Sequence, residues 1–309
     1  MFIWLSQTSA NAVLNTAKHA EDSAMKIAII TDIHHGPKSH TKETGWDGMA
    51  TMEAFVEHAN AIGADLLLDL GDHISDTDHA TDVRAATEVA NTLAQFKGPR
   101  YHVVGNHDVT NLSIADNEDI FGQSMASQVF DLGAARLILW QPDVNIGLPG
   151  GFAPTGDALP WLIDTLNADN KPAIIATHVP LSGHSQIGNF YFENNYQYST
   201  YPDHAAVRHA VEATGNAAMW LAGHVHWNTV TPVAGIQHVT IQSMSERFTT
   251  SPAAANAFAV LEINDDVADL IVHGNDPFQA KLAFRRSGDR PWLKPMGPFA
   301  ESLVELENA

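Results

Sequence analysis

The chain contains no cysteine, which excludes disulfide bonds, cysteine-ligated zinc, iron–sulfur clusters and thiol catalysis. Cations are also scarce: 16 lysines and arginines stand against 36 aspartates and glutamates, for a formal net charge of −20. Nucleic-acid backbones and anionic membranes are therefore not expected as main partners, because binding them needs clustered cations. No apolar run approaches the roughly 18 residues of a membrane span, and Phe2–Leu5 is too short for a signal peptide. We expect a cytoplasmic protein.

Histidine, by contrast, is abundant, with 17 residues. Because thiolates are absent, any metal must be held by nitrogen and oxygen ligands, and neutral imidazole is the commonest protein metal ligand. The hydrophobic share of 45% is typical of globular proteins. A chain of 309 residues is also long enough to bury one large core.

Apolar runs and helical patterns alternate along the chain from Met25 onward. Strands are predicted at Ile27–Thr31, Asp65–Leu70, Arg100–Gly105, Arg136–Trp140, Ala173–Thr177, Ala218–Ala222, Gln237–Gln242, Phe258–Ile263 and Ala268–His273. Helices are predicted at Met49–Ile62, Thr81–Phe96, Ala158–Leu166 and His204–Ala213. The alternation predicts an α/β domain with a largely parallel sheet buried on both faces. The last three strands follow one another with short turns, which indicates antiparallel pairing and hence a mixed sheet.

The two ends of the chain differ in pattern from the part between them. Residues 1–24 lack a strong apolar face, and we interpret them as a peripheral arm or as an extension ahead of a start at Met25. The main domain is expected over residues 25–275. Residues 276–309 are rich in proline, glycine and arginine and end in the amphipathic piece Phe299–Leu306. We expect them to form a tail that packs on the domain or contacts another subunit.

Polar side chains follow five of the predicted strands, where ligands of α/β sheets bind. The motifs are Asp32-Ile33-His34, Gly71-Asp72-His73, Gly105-Asn106-His107-Asp108, His178 and Gly223-His224-Val225-His226. Each has a structural alternative, such as a turn cap for Asp32, an ordinary turn signal for Asp72 or a satisfied buried histidine for His178. Occurring together, with no lysine or arginine among them, they indicate a site for divalent cations with oxygen and nitrogen ligands.

This set of motifs resembles the calcineurin-like metallophosphoesterase family. The family pattern is D-x-H, G-D, G-N-H-D/E, a single His and then G-H-x-H, and it is matched in order over roughly Lys26–Ser245. Within the family, the chain is similar to the small bacterial class III phosphodiesterases that act on cyclic nucleotides or glycerophosphodiesters. The resemblance implies a four-layer α/β/β/α sandwich with mixed sheets. It also implies a hydrolase that acts on phosphate ester bonds.

The resemblance assigns the motif residues to two divalent metal ions. It implies one metal held by Asp32, His34 and His226, a second held by Asn106, His178 and His224, and Asp72 as the bridging ligand. Two carboxylates only partly neutralise two such cations, so a net positive centre remains to bind phosphate. A hydroxide bridging the metals would then attack phosphorus. A site of this composition accepts Mn, Fe, Zn or Co.

Three further histidines have no metal role in the family pattern. The resemblance implies that His107 faces the substrate and protonates the leaving alkoxide, while Asp108 orients it. Asp108 has the alternative role of capping the turn. His73 stands where many relatives carry a small polar residue, and His35 lies beside a predicted ligand. We interpret both as supporting or pocket residues, with His73 a candidate substrate contact.

Substrate selection is expected from a polar and aromatic insert at residues 182–201. We interpret the insert as a lid that stacks on a base or encloses a polar head group. The candidate substrate contacts in it are His184, Phe190, Tyr191 and Tyr196. The alternative is that these aromatic residues pack the loop onto the domain or form a dimer contact.

The sequence favours hydrolysis of a small-molecule phosphodiester. Lys38 and Lys42 are the nearest cations to the motifs, so a compact diester with one negative charge suits the site better than a polyanion. The alternatives are a phosphomonoesterase, a nucleotide diphosphatase that cleaves ADP-ribose-like or CDP-alcohol-like substrates, and a non-catalytic metal-binding scaffold. The His107–Asp108 pair argues against the scaffold, because metal retention alone does not need it. For the oligomeric state, the sequence is compatible with a homo-oligomer.

Overall fold

The computed structural model describes residues 24–37 and 48–297. The expectations for residues 1–23, for Lys38 and Lys42 and for Phe299–Leu306 lie outside these residues. In the part of the chain that is described, no helix combines the length and apolar character that crossing a membrane requires.

The described chain folds into β-strands, α-helices and short 3₁₀ turns. The strands are β1 (Met25–Ile30), β2 (Leu66–Asp69), β3 (Arg100–His102), β4 (Gln128–Asp131), β5 (Arg136–Leu139), β6 (Ile146–Gly147), β7 (Gly151–Phe152), β8 (Ala173–Ala176), β9 (Ala217–Ala222), β10 (Thr229–Val233), β11 (Ile236–Thr240), β12 (Phe258–Asn264), β13 (Val267–His273) and β14 (Phe278–Ala283). The helices are α1 (Gly48–Ala61), α2 (His79–Leu93), α3 (Ile114–Phe121), α4 (Ala158–Asn167) and α5 (His204–Thr214).

The strands form two six-stranded mixed sheets and a small hairpin of β6 and β7. The first sheet has the order β14-β13-β12-β1-β2-β3, with β1, β2 and β3 parallel and the other pairs antiparallel. The second has the order β10-β11-β9-β8-β5-β4, with a parallel centre and antiparallel edges. The carboxyl ends of the parallel strands carry the loops that hold the motif residues.

Alternating side chains on the central strands build three apolar layers. In β1, Ile27 and Ile29 face the core between the two sheets, whereas Ala28 and Ile30 face α1 and α2. In β8, Ile174 faces the same central core, and its neighbours pack toward α4 and α5. This period of two is expected for strands buried on both faces. The order of layers is therefore helix, sheet, sheet, helix, and the predicted four-layer α/β/β/α sandwich is confirmed.

Every helix and strand predicted from the sequence is present, with ends that shift by a few residues. The sequence analysis did not predict α3 or the edge strands β4, β10 and β14. These edge strands are partly exposed along their length, so they lack the continuous apolar run that identified the central strands. Residues 278–283, expected within a C-terminal tail, extend the first sheet as β14.

Candidate metal centre

Five loops at the carboxyl ends of β1, β2, β3, β8 and β9 meet at one edge of the sandwich. Hydrogen bonds join them directly: the backbone N–H of Asp32 donates to Gly71 O at 2.9 Å, and that of His34 donates to Asp72 O at 3.0 Å. Across the two sheets, the backbone N–H of His224 donates to the Asp32 carboxylate at 3.0 Å. Residues far apart in sequence are thereby fixed at one place.

A first group consists of the buried residues Asp32, His34 and Asp72 and the half-buried His226, whose candidate ligand atoms all lie within 4.8 Å of one another. The Nε2 atoms of His34 and His226 are 3.1 Å apart. His226 Nε2 lies 3.2 Å from Asp32 Oδ1, and His34 Nε2 lies 3.8 Å from Asp72 Oδ2. Carboxylate oxygens and imidazole nitrogens thus converge as a divalent cation requires.

A second buried group consists of Asp72, His178 and His224. His178 Nε2 lies 3.2 Å from Asp72 Oδ2 and 3.3 Å from the side-chain oxygen of Asn106. The Asp72 carboxylate therefore belongs to both groups, which is the geometry of a bridging ligand. The structure brings together all seven residues that the sequence analysis proposed as metal ligands.

Hydrogen bonds outside the two groups orient two of the histidines. The Nδ1–H of His178 donates to Leu70 O at 2.8 Å, which leaves Nε2 to face Asp72. The Nε2–H of His224 donates to Tyr198 O at 2.6 Å, which leaves Nδ1 as its free donor atom for a metal. Metal-binding histidines usually have their second ring nitrogen fixed in this way. The residues present therefore fit two divalent metal ions.

The backbone around the site adopts the left-handed region at several non-glycine residues. Among the proposed ligands, φ is 51° at Asp32, 48° at His34, 56° at Asp72, 68° at His224 and 59° at His226. Such conformations are unfavourable for residues with a Cβ atom and concentrate at functional sites. The surrounding fold must hold these loops in place, which is consistent with a site built for ligands.

Two glycines are required by close approach rather than by backbone conformation. A Cβ atom at Gly105 would collide with the Asp72 carboxylate, and one at Gly223 would collide with Thr31 Oγ1 and the Asp32 carboxylate. The carboxylates that are proposed to bind metal thus lie directly against glycine backbone. The glycines of the G-N-H-D and G-H-x-H motifs have this packing role.

Burial and charge set the protonation of the clustered groups. Burial lowers the pKa of His34 to about 4 and that of His224 to about 3, which favours their neutral, metal-binding form. Burial also lowers the pKa of His178, but the Asp72 carboxylate outweighs it and raises that pKa to about 9. Burial raises the pKa of Asp72, but the neighbouring His178 and His107 outweigh it and hold that pKa well below its usual value. Asp72 is therefore an ionised carboxylate.

His107, the residue after Asn106 in the third motif, lies at the outer side of the site. Its side chain is 37% exposed, and its ring lies 4.8 Å from that of His34 between centroids. The Nδ1–H donates to Asp76 Oδ1 at 3.0 Å. Burial lowers the pKa of His107, but the charges of Asp72 and Asp76 outweigh it and raise the pKa to about 9. The two carboxylates thus favour the protonated form of His107.

Asp108 does not contact His107 in the way the family resemblance implied. Its carboxylate accepts backbone N–H bonds from Gly105, Asp72 and His73 at 2.8 to 2.9 Å, so it ties the second and third motif loops together. The residue that orients His107 is Asp76, which the sequence analysis missed. Its only signal was its position four residues after Asp72.

His73 lies behind the cluster, not on its open side. The ring is 0% exposed; Nε2 lies 2.5 Å from Asp69 Oδ2, and Nδ1 lies 2.9 Å from Asp108 Oδ2. Asp69 also accepts a bond from His102 Nδ1 at 2.9 Å. These short contacts form a network of ion pairs and hydrogen bonds beneath the loops. The interpretation of His73 as a substrate contact does not fit this position, whereas the supporting role does.

His35, in the first motif loop, pairs with Glu88 on α2 at 2.7 Å.

The insert at residues 182–201 lies over the His224–His226 loop. Asn189, 2% exposed, donates from Nδ2 to Val225 O at 2.8 Å and accepts the backbone N–H groups of Tyr191 and Phe192 at 3.0 Å. Phe192 is 5% exposed and packs its ring against His224 at 5.1 Å. One turn of the insert is therefore pinned to the proposed metal loop.

The four candidate substrate contacts occupy different positions in the insert. Phe190 is 76% exposed, and Tyr191 and Tyr196 are about half as exposed, at 45% and 41%. His184 lies within the base of the insert, where Nδ1 is 2.6 Å from Ser182 Oγ and Nε2 is 3.0 Å from Gln186 Nε2. Its two ring nitrogens are thus both engaged there. The three aromatic side chains remain available to a substrate.

The four-layer fold and the clustered aspartate and histidine side chains are those of the phosphoesterase class of hydrolases. The sequence profile of the calcineurin-like phosphoesterase domain matches residues 25–228, and the chain belongs to this family. No curated protein sequence matches the chain significantly.

Solved structures with the same fold support this assignment at the level of architecture. A dimetal phosphatase from Danio rerio superposes with a TM-score of 0.67 at 16% identity, over 85% of this chain and 100% of the other. The purple acid phosphatase PPD1 of yellow lupin (Lupinus luteus) gives 0.61 at 12% identity, over 90% of this chain and 57% of the other. The Plasmodium protein GAP50, described as the anchor in the inner membrane complex, superposes with a TM-score of 0.57 at 13% identity. The superposition covers 85% of this chain and 90% of the other.

Proposed function

We propose that the protein hydrolyses a small-molecule phosphodiester at the cluster centred on Asp72. The observation that carries this proposal is the shared carboxylate: Asp72 belongs to both ligand groups, and the His107 imidazole, held by Asp76, stands at their open side. A bridging carboxylate beside an acidic group matches the requirements of phosphoryl transfer, in which charge builds up on the phosphate oxygens and on the leaving oxygen.

Two divalent metal ions would occupy this site. One ion would be held by Asp32, His34 and His226, and the other by Asn106, His178 and His224. Asp72 would bind both ions, and the candidate metals are Mn, Fe and Zn. When bound, such ions supply Lewis-acid stabilisation of the phosphate oxygens and lower the pKa of water.

The chain's own residues complete the reaction. His107 is held through Nδ1 by Asp76, so Nε2 is the nitrogen that can donate a proton to the leaving oxygen. Asp108 keeps the two loops in register without touching the substrate. Tyr191 and Tyr196 would enclose the substituents of the phosphate from the insert. A diester is favoured because it carries one negative charge in a protein whose net charge is −20.

A phosphomonoesterase is the second candidate, since two solved proteins with this fold are named as phosphatases. A nucleotide diphosphatase is the third. A non-catalytic scaffold is a further alternative, because GAP50 is described as an anchor. The ordered pair of Asp76 and His107 supports an enzyme, because metal retention alone has no use for an outward-facing imidazole held by a carboxylate. The cytoplasmic location and a homo-oligomeric state stay predictions.

The test compares an aryl phosphodiester with the matching monoester, using metal-stripped protein and protein reloaded with Mn. We expect diester hydrolysis that depends on metal, and His107→Ala should lower kcat by about 10²-fold or more while leaving the metal content unchanged. His209→Ala, an exposed residue on α5, serves as the control. Monoester preference would favour the phosphatase. No hydrolysis of either ester or of a nucleotide diphosphate, with both metals bound, would favour the scaffold.

A further inference from the structure

A row of aromatic rings leads outward from the proposed metal ligand His226. The ring of Phe248 lies 5.1 Å from the His226 ring, and the ring of Phe190 lies 5.1 Å from that of Phe248, with interplanar angles of 42° and 48°. Phe248 is half-buried, and Phe190 is 76% exposed. The row therefore runs from a half-buried proposed ligand to an open surface.

Both phenylalanines are carried by segments that are fixed to the proposed metal loops. Ahead of Phe248, Ser243 Oγ donates to Asp32 O at 2.7 Å, and the backbone N–H of Met244 donates to Thr31 O at 3.1 Å. Phe190 follows Asn189, whose side chain is bonded to Val225 O. Aromatic rings that are held in place in this way bind a ligand without first losing much conformational freedom.

The exposure of Phe190 is not explained by packing within the chain. Its neighbour Phe192 is buried against His224 and accounts for the attachment of the insert. Phe190 contacts the Phe248 ring but leaves most of its own surface open to solvent beside the site. Exposed aromatic surface next to a polar cluster is typical of a ligand-binding surface.

We propose that Phe190 and Phe248 form an aromatic subsite that binds a planar, aromatic substituent of the phosphate ester beside His226. This inference rests on the proposed phosphoesterase function and narrows its substrate class to aryl or nucleobase-bearing esters. Ring pairs at centroid separations of about 4.5–7 Å prefer tilted or offset arrangements, and the tilt between Phe190 and Phe248 leaves ring surface available to a third aromatic group.

The experiment measures binding to the full-length, Mn-loaded protein by calorimetry, with phosphonates that cannot be hydrolysed. Phenylphosphonate, cyclohexylphosphonate and methylphosphonate share the anionic group and differ in the substituent. We expect phenylphosphonate to bind about tenfold more tightly than methylphosphonate and several-fold more tightly than cyclohexylphosphonate, from the added stacking. Phe248→Leu and Phe190→Leu should each remove most of the preference for phenyl over cyclohexyl and leave methylphosphonate binding unchanged.

Trp292→Leu is the matched control. Trp292 is an exposed aromatic residue near Arg290, which bonds to Gly235 O at the opposite end of β11 from the site. Equal binding of phenyl and cyclohexyl compounds, or a preference that survives both phenylalanine variants, would overturn the subsite. These outcomes are separable from a failure of the proposed function, which would show as absent ester hydrolysis with the phosphonate pattern intact.

Discussion

Asp76 and His107 form a hydrogen-bonded pair at the open side of the proposed metal centre, with Asp76 Oδ1 3.0 Å from His107 Nδ1. Asp76 itself has a φ of 31°, so its backbone is strained to reach this position. The pair fixes which nitrogen of His107 faces the substrate. It couples the loop after β2 to the loop after β3 at the point where proton transfer is proposed.

Replacing Asp76 by Asn should impair turnover more than substrate binding. The amide keeps the shape of the side chain but removes the charge that holds the His107 imidazolium. We expect Asp76→Asn to lower kcat by about 10- to 100-fold, with KM changed less than threefold, since general acid catalysis contributes about 10²–10⁴-fold in full. Steady-state kinetics on the aryl diester provide the measurement. Asp157→Asn removes the same charge at the exposed start of α4 and should leave kcat unchanged.

Gly105→Ala should damage the metal centre through a single methyl group. Its Cβ atom would collide with the Asp72 carboxylate, and that carboxylate cannot retreat, because its Oδ1 accepts the backbone N–H of His107 at 2.8 Å. We expect a loss of about 1–3 kcal/mol in the free energy of unfolding and Mn affinity at least tenfold weaker by calorimetric titration. At Gly150, a Cβ atom would meet nothing closer than 3.6 Å. A Gly150→Ala variant as impaired as Gly105→Ala would contradict this explanation.

The bond between Asn189 and Val225 should determine how firmly the insert is held over the site. Asn189→Asp keeps the two bonds accepted from Tyr191 and Phe192 but replaces the donor to Val225 O by a carboxylate oxygen. We expect a raised KM and increased proteolytic cleavage within residues 182–201, because a buried carbonyl loses its partner at a cost of about 1–3 kcal/mol. Asn194→Asp, which adds the same charge at an exposed neighbour, should leave both measurements unchanged.

The proposed ligands could be predicted from the sequence because each follows a buried strand that the apolar pattern identifies. Asp32, Asp72 and His224 stand at such ends, and the topology of the sandwich brings those ends to one edge. The uninterrupted apolar run of β1 likewise indicates burial on both faces, which two sheets and their helices provide. Local pattern and global fold agree at these positions.

The supporting contacts could not be predicted, because they join residues whose spacing in sequence carries no signal. Asp108 bonds to the backbone of Asp72, 36 residues away, and Asp69 pairs with His102, 33 residues away. Phe248 lies in a stretch without an apolar period, and tertiary hydrogen bonds such as that of Ser243 to Asp32 O place its ring beside His226. His73 has the composition of a ligand, and only its complete burial between two carboxylates reveals its supporting role.

His238 should make the stability of the protein depend on pH. This β11 residue is 4% exposed and stacks on Trp220 at 5.5 Å, and neither ring nitrogen has a hydrogen-bond partner in the part of the chain that the structure describes. Burial lowers its pKa to about 3, with smaller contributions from Arg208 and His184. The folded state therefore keeps His238 neutral, whereas the unfolded state binds a proton below the ordinary pKa of about 6.5.

The contribution of neutral His238 to the free energy of unfolding is fully present above about pH 6.5. It declines by roughly 1.4 kcal/mol per pH unit as the pH falls toward 3, because the unfolded chain gains a proton that the folded chain does not. His238→Leu keeps an apolar contact with Trp220 and removes the proton uptake of the unfolded chain. We expect the free energy of unfolding, from urea titrations, to match wild type within about 1 kcal/mol at pH 8 and to exceed it by about 2 kcal/mol at pH 5. His209→Leu, at the exposed face of α5, should show no such gain. A His238→Leu variant that loses stability with falling pH as steeply as wild type would show that His238 takes up its proton in the folded protein.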